Sequence, residues 1–240
     1  MRILGAHVRA AALELLRYPS FSLSALLFPA TLFLVFLHAY RQPANTRLAG
    51  FVAVAILGVV FFQFGVGIAS ERTSGWELFV RTLPVPPRVR LAARVCSAVL
   101  FGAAAAGGVT AVAAATTPLT LTPVRWVALA AALLLGGVPF GLLGLAIGYA
   151  VRPRAALPLA NLLYLPLSYA GGLWAGPRHA WSAARVLDLV PTHAWARLLW
   201  GAVGAVGFDA GAAALLAGWG AVFGLVAVAA YRRDEGERFG

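Results

Sequence analysis

Residues 49–69 read AGFVAVAILGVVFFQFGVGIA, an apolar run with no ionisable side chain, and lead straight into SERTSGWELFVRTLPVPPRVR, Ser70–Arg90. The first stretch is long enough to cross a bilayer as a helix, since about 20 apolar residues at ~1.5 Å rise span a ~30 Å hydrocarbon core. The second crowds two glutamates, four arginines and three prolines between that run and the next apolar one. The pair sets the reading of the chain: membrane helices joined by short connections, of which this one is the most densely polar.

Composition extends that reading to the full 240 residues. Mean hydropathy is +0.85, and 61% of residues are hydrophobic against 11% charged, far from the balance of a water-soluble domain. Six spans of about 20 residues would take up half of the chain and leave room only for short loops. We therefore expect an all-α polytopic membrane protein, with residues 1–240 forming a single transmembrane domain. The net charge of +11 does not indicate nucleic acid, because the arginines sit at the ends of apolar runs and not in one patch. Cys96 is the only cysteine, so an intrachain disulfide is impossible. All 19 Lys and Arg residues are arginine. Without a lysine the chain cannot carry a P-loop, whose lysine reaches the nucleotide phosphates, so an ATP-driven process would need its motor on another polypeptide.

The apolar runs place six spans at about Phe21–Tyr40, Ala49–Ala69, Leu91–Thr116, Trp126–Val151, Ala155–Ala175 and Ala210–Tyr231. Pro158 and Pro166 interrupt the fifth, and Pro29 and Pro139 fall within the first and fourth. Transmembrane helices tolerate such residues when neighbours satisfy the freed carbonyls. Ahead of the first span, Leu4, Val8, Ala11, Leu15 and Leu16 recur at helical spacing, so residues 1–19 read as an amphipathic interfacial helix and not as a cleaved signal peptide. The segment 177–209 is too polar for a further span. Its part RVLDLVPTHAWARLLWGAVG (Arg185–Gly204) predicts one or two short helices lying at the outer surface or dipping in, with Trp181, Trp195 and Trp200 suited to the interface.

Arginine placement gives the orientation. Arg2, Arg9, Arg17, Arg72, Arg81, Arg88, Arg90, Arg94, Arg152, Arg154, Arg232, Arg233 and Arg238 fall on one side; Arg41, Arg47, Arg125, Arg178, Arg185 and Arg197 fall on the other. The positive-inside rule puts the first set, both termini and residues 70–90 in the cytoplasm of a multi-pass cell-membrane protein.

Several chemistries lack their residues. The four histidines are scattered; only His179 and His193 share a loop where a metal is imaginable. No protease or hydrolase motif occurs, and all eight acids lie outside the spans or at their ends, so neither a catalytic site nor an ion-coupling site is visible. That absence weighs against the alternative reading, an ion-coupled secondary carrier or channel. Polar side chains inside the spans are few. Gln63, Asn161, Tyr164 and Ser168 are the candidates for a substrate path, with interhelical hydrogen bonding the competing explanation. The glycine-rich GGVPFGLLGLAIG (Gly136–Gly148) predicts close helix–helix approach.

Within Ser70–Arg90, residues 71–83 contain no proline and suit a short helix ending before Pro84, after which Pro84, Pro86 and Pro87 impose an extended turn. Glu71, Arg72, Gly75, Trp76, Arg81, Pro84, Val85, Pro86, Pro87 and Arg94 follow the order E-R-x-x-G-W, R, P-[LV]-P-P and a basic residue. In this the stretch resembles the cytoplasmic loop of type-2 ABC-transporter permeases, particularly the small drug- and lipid-export variant. The layout is similar too, with an N-terminal helix ending in LRYPSF, six spans and an outer segment before the last. Leu83 stands where threonine is common, Arg94 where lysine is usual, and Glu77 is one place early for the family's second acid.

The resemblance implies a homodimeric exporter permease working with two copies of a separate ABC ATPase subunit, which binds the ATP and magnesium. This chain would bind no cofactor or metal, catalyse no reaction and contact membrane lipid. It further implies that residues 70–90 form a coupling helix and loop against the ATPase, with Glu71, Arg72, Gly75, Trp76, Arg81, Pro84, Val85, Pro86 and Pro87 as the contact residues.

Overall fold

The computed structural model describes residues 19–39, 42–75, 87–177 and 187–239, with side chains over 27–39, 42–75, 95–177 and 188–234. Every regular element among the described residues is helical. Helix α1 is Pro19–Val35, α2 Ala44–Glu71, α3 Pro87–Thr116, α4 Pro123–Ala150, α5 Pro153–Ala170, α6 Pro191–Ala202 and α7 Ala210–Phe239. A single 3₁₀ turn, Leu187–Leu189, precedes α6. The proposed interfacial helix at residues 1–19 lies outside the described residues.

A helix stands at each of the six places where an apolar run predicts a span. Four are long and apolar enough to cross a membrane: α2, the Val95–Thr116 part of α3, α4, and the Ala210–Asp234 part of α7. Helices α1 and α5 are shorter, at 17 and 18 residues. The boundaries move for local reasons. Proline occupies the first turn of α4, α5 and α6, where its fixed φ suits a helix and its missing N–H costs nothing. Thr122 caps α4, its Oγ1 accepting from the Arg125 N–H at 3.4 Å. Asp209 caps α7, its Oδ1 accepting from the Ala212 N–H at 3.0 Å. Pro29, Pro139, Pro158 and Pro166 all sit inside uninterrupted helices.

Helix α2 is the hub. Its most apolar window is 67% buried, against 17% for those of α3 and α7, because α1, α3, α4, α5 and α6 all pack on it. The middle of α2, Val59–Gly67, widens into a π-helical stretch. Against this stretch α4 presents glycines on one face: a Cβ on Gly144 would lie 2.7 Å from the Val60 carbonyl oxygen, and one on Gly148 would lie 2.8 Å from Ile68 Cβ. Lipid tails supply no hydrophobic force between helices, so such backbone-to-backbone packing is what holds them together. Helix α7 then lies along the other side of α4, the most extensive helix pair in the fold.

Helix α6 does not lie on the surface: Pro191–Ala196 and Leu198–Trp200 are buried, and Trp195 is among the largest fully buried side chains. Its indole N–H donates to the Ala132 carbonyl at 2.8 Å, and its ring rests on Phe140 with centroids 5.2 Å apart. In an α-helix the Ala132 carbonyl points toward residue 136. Only the absence of a side chain at Gly136 lets the indole reach it, because a Cβ there would overlap the ring. Thr192 Oγ1 donates to the Leu167 carbonyl at 2.6 Å and ties the start of α6 to α5. Trp195 and Trp200 are therefore core residues and not interfacial anchors; Trp181 lies outside the described residues.

Arg47, assigned by hydropathy to the outer loop, is in the first turn of α2 and only 8% exposed. It donates to the Gln42 carbonyl at 3.1 Å, while Gln42 donates to the Trp174 carbonyl at 2.9 Å.

His193 is buried beside Asp188, with Nε2 3.5 Å from Oδ1. Desolvation by burial holds its pKa below the ordinary imidazole range. A hydrogen bond to the Gly171 backbone and the Asp188 carboxylate oppose that shift, and Arg197 reinforces it. Asp188 is 50% exposed, so solvent screens its pull and burial wins.

Two outcomes are expected for purified protein in detergent. Gly136→Val should cost about 3 kcal/mol through displacement of Trp195, and Trp195→Phe about 1 kcal/mol through loss of one hydrogen bond. Thermal melts that leave both variants at the wild-type Tm would refute the seating of α6. Because the folded state favours neutral His193, its contribution is complete above the unfolded pKa of about 6.5 and is lost as pH falls below it. The Tm should drop between pH 7.5 and pH 5.5, and that drop should shrink in His193→Gln; an equal drop in both proteins would contradict this.

Candidate functional site

The two sets of connections separate to opposite ends of the bundle. At one end, Asn45 and Thr120 hydrogen-bond reciprocally: Asn45 Nδ2 donates to Thr120 Oγ1 at 3.0 Å, and the Thr120 N–H donates to Asn45 Oδ1 at 3.1 Å. Gln42, Trp174 and α6 share that end. At the other end the C-terminus of α2, the C-terminus of α4 and the last turns of α7 converge. Tyr149 and Tyr231 meet there edge to face with centroids 5.1 Å apart. Among the described residues, Arg72 lies at this second end, whereas Arg47 lies beside Gln42 at the first.

This second end carries the root of the Ser70–Arg90 loop. Helix α2 finishes at Glu71 and is closed by a turn, the Arg72 N–H donating to the Ile68 carbonyl at 3.0 Å and the Ser74 N–H to the Glu71 carbonyl at 2.8 Å. Thr73 Oγ1 donates back to the Ser70 carbonyl at 3.1 Å. Glu71 is exposed at the helix end. Gly75 is also exposed, and a side chain there would meet nothing within 4 Å among the described residues. Packing within the described part of this chain therefore does not explain the glycine.

Arg72 points the other way. Its guanidinium is ion-paired through Nη1 with Asp234 near the end of α7, and Nη2 donates to the Val151 carbonyl at 2.9 Å, just past the end of α4. The side chains of Arg72 and Asp234 are 12% and 3% exposed. A cation at two helix C-termini is favoured by both macrodipoles, and the planar fork lets one side chain serve two acceptors. Breaking such a buried pair by removing one partner leaves an uncompensated charge, typically at a cost of about 3–5 kcal/mol.

Of the residues assigned to an ATPase contact, the structure thus brings Glu71 and Gly75 to the surface, turns Arg72 inward, and opens α3 with Pro87. Trp76, Arg81, Pro84, Val85 and Pro86 lie outside the described residues. Asp234 was missed by sequence reasoning. The available signal was an acid among Arg232, Arg233 and Arg238, immediately beyond the last apolar run.

The four candidates for a substrate path do not line one channel within a single chain. Tyr164 is buried, its hydroxyl donating to the Val54 carbonyl at 3.3 Å, with Phe61 and Phe62 of the π-helical stretch edge-on to its ring. Ser168, one turn on, is buried and donates to the Leu165 carbonyl at 3.0 Å. Both lie on the face of α5, with Ala156 and Ala160, that packs inward. Asn161 is on the outward face, exposed, donating to the Leu157 carbonyl of its own helix at 3.2 Å. Gln63 is half-buried in the π-helical stretch. Among the described residues no group of three or more His, Cys, Asp or Glu forms a metal site; His179 lies outside them.

With this geometry in place, comparison with known proteins is specific. The family model described as "ABC-2 type transporter" matches residues 4–193, most of the chain. The "Putative transport permease YvfS" of Bacillus subtilis (strain 168) is 24% identical over 172 residues, covering 67% of this chain and 69% of that protein. No solved structure matches.

Proposed function

We propose how this chain works from a plain premise: it belongs to the ABC-2 type transporter family, and so is a membrane subunit of an ABC transporter. In our reading all six long helices cross the membrane, α1 and α5, at 17 and 18 residues, lying at the short end of the spanning range of about 17–25 residues. Both termini and the Ser70–Arg90 loop then face the cytoplasm, where arginine is in excess. Two copies of this chain form a path for a lipophilic or amphipathic substrate, which is exported. Two copies of a separate ATPase subunit bind ATP and magnesium and drive the cycle, since this chain has no lysine and hence no P-loop.

The observation that carries this reading is the root of the loop. An exposed Glu71 and a Gly75 that no other described residue crowds are set on the end of α2, whose apolar window is 67% buried. A push on that root enters the centre of the fold directly. The outward-facing Asn161 supports a second copy, because a polar side chain at membrane depth is better matched by protein than by lipid.

Co-expression with its cognate ATPase should yield a complex that survives detergent, with an ATPase rate that depends on the permease. Glu71→Ala or Gly75→Trp should cut that dependence by about tenfold, the effect of losing one charge-assisted hydrogen bond or of a steric block at an interface. A chain that purifies alone, binds no ATPase and moves a lipophilic dye without ATP would overturn the proposal.

A further inference from the structure

We propose that Arg72 is a positioning residue, the joint through which the loop at the end of α2 moves the cytoplasmic ends of α4 and α7; this rests on the coupling function proposed above. Adjacent residues divide the work. Glu71 faces outward, where a partner can reach it, whereas the Arg72 guanidinium is sequestered between Asp234 and the Val151 carbonyl.

The connectivity explains why a joint is needed at this place. Helix α2 meets its loop only four residues after the π-helical stretch Val59–Gly67. A wider helical turn is a natural place for a displacement to be absorbed. Arg72 lies beyond that stretch and bypasses it. Its two arms reach α7, through a carboxylate that is 3% exposed, and the end of α4, through a carbonyl. Those two helices make the most extensive contact in the bundle, and Tyr149 against Tyr231 adds a second link beside the clasp. Movement of the loop root is therefore shared with the α4–α7 pair as a unit. An arginine suits this role where a lysine does not, because the fork fixes both acceptors in one plane.

Four variants test it: Arg72→Lys, Arg72→Gln, Asp234→Asn and Asp234→Ala. Each is assembled with the ATPase subunit, and complex formation, Tm and permease-dependent ATPase rate are measured. The expected order of that rate is wild type, then Arg72→Lys, then Arg72→Gln and Asp234→Asn at about a tenfold loss, with complexes still forming. Hydrogen exchange on the purified permease alone supplies a readout independent of the partner. Arg72→Gln should raise exchange together at the end of α4 (residues 148–154) and in α7 (residues 231–234), and Asp234→Asn should raise it in both α7 and residues 68–74.

Exchange confined to the mutated element, or a wild-type ATPase rate in Arg72→Gln, would overturn the joint. Failure of the wild-type permease to bind any ATPase would instead overturn the proposed function, and hydrogen exchange alone would then decide whether Arg72 links the three helix ends.

Discussion

The seam between α2 and α4 is the contact on which the rest of the structure depends. In hydrocarbon, burying one apolar surface against another gains little, so helices must be held by close packing and by hydrogen bonds that lipid cannot offer. Gly144 and Gly148 meet that requirement by letting the backbone of α4 approach Val60 and Ile68 of α2. A methyl group at either glycine would force the helices apart. The same helix α4 seats Trp195 at Gly136, midway along its length, so one glycine-bearing helix fixes both the hub and the inserted helix α6.

Five helices bury α2, and its two ends are held in different ways. At the outer end the attachments are short and local: Arg47 to Gln42, Gln42 to Trp174, Asn45 to Thr120. At the other end one arginine gathers three helix termini. The family to which the chain belongs pairs a membrane subunit with a hydrolytic one, and a lysine-free chain is consistent with that division. The tip of the central helix is exposed at Glu71 and clasped at Arg72.

Much of this was legible in the sequence because hydrocarbon is a demanding solvent. A long apolar run has few alternatives to a helix, so a helix stands at each of the six apolar runs. Boundaries were less legible. Hydropathy stops at the first charge, whereas helices start where proline or an aspartate cap permits, as at Pro123, Pro153 and Asp209. How deeply α6 is buried was not legible, because Asp188, His193 and Arg197 make its segment look polar. There the charged Arg197 stays exposed and pairs with Asp209, and only His193, beside Asp188, is buried, which composition cannot reveal. The ion pair of Arg72 joins residues 162 apart in the chain, and no local pattern encodes it. Tyr164 and Ser168 were recognised as polar groups within a span; the Tyr164 hydroxyl bonds across to α2, whereas Ser168 bonds within its own helix.

The account's central claim is that Ser70–Arg90 lies on the cytoplasmic side of a six-span bundle while residues 117–122 lie outside. Single cysteines placed in a Cys96→Ser background, as Gly75→Cys, Arg154→Cys, Thr120→Cys and Val206→Cys, read this directly with a membrane-impermeant maleimide. In intact cells Thr120→Cys and Val206→Cys should label, and Gly75→Cys and Arg154→Cys should label only after the membrane is opened. Labelling of Gly75→Cys and Thr120→Cys from the same side would contradict the topology and, with it, the coupling role of the loop.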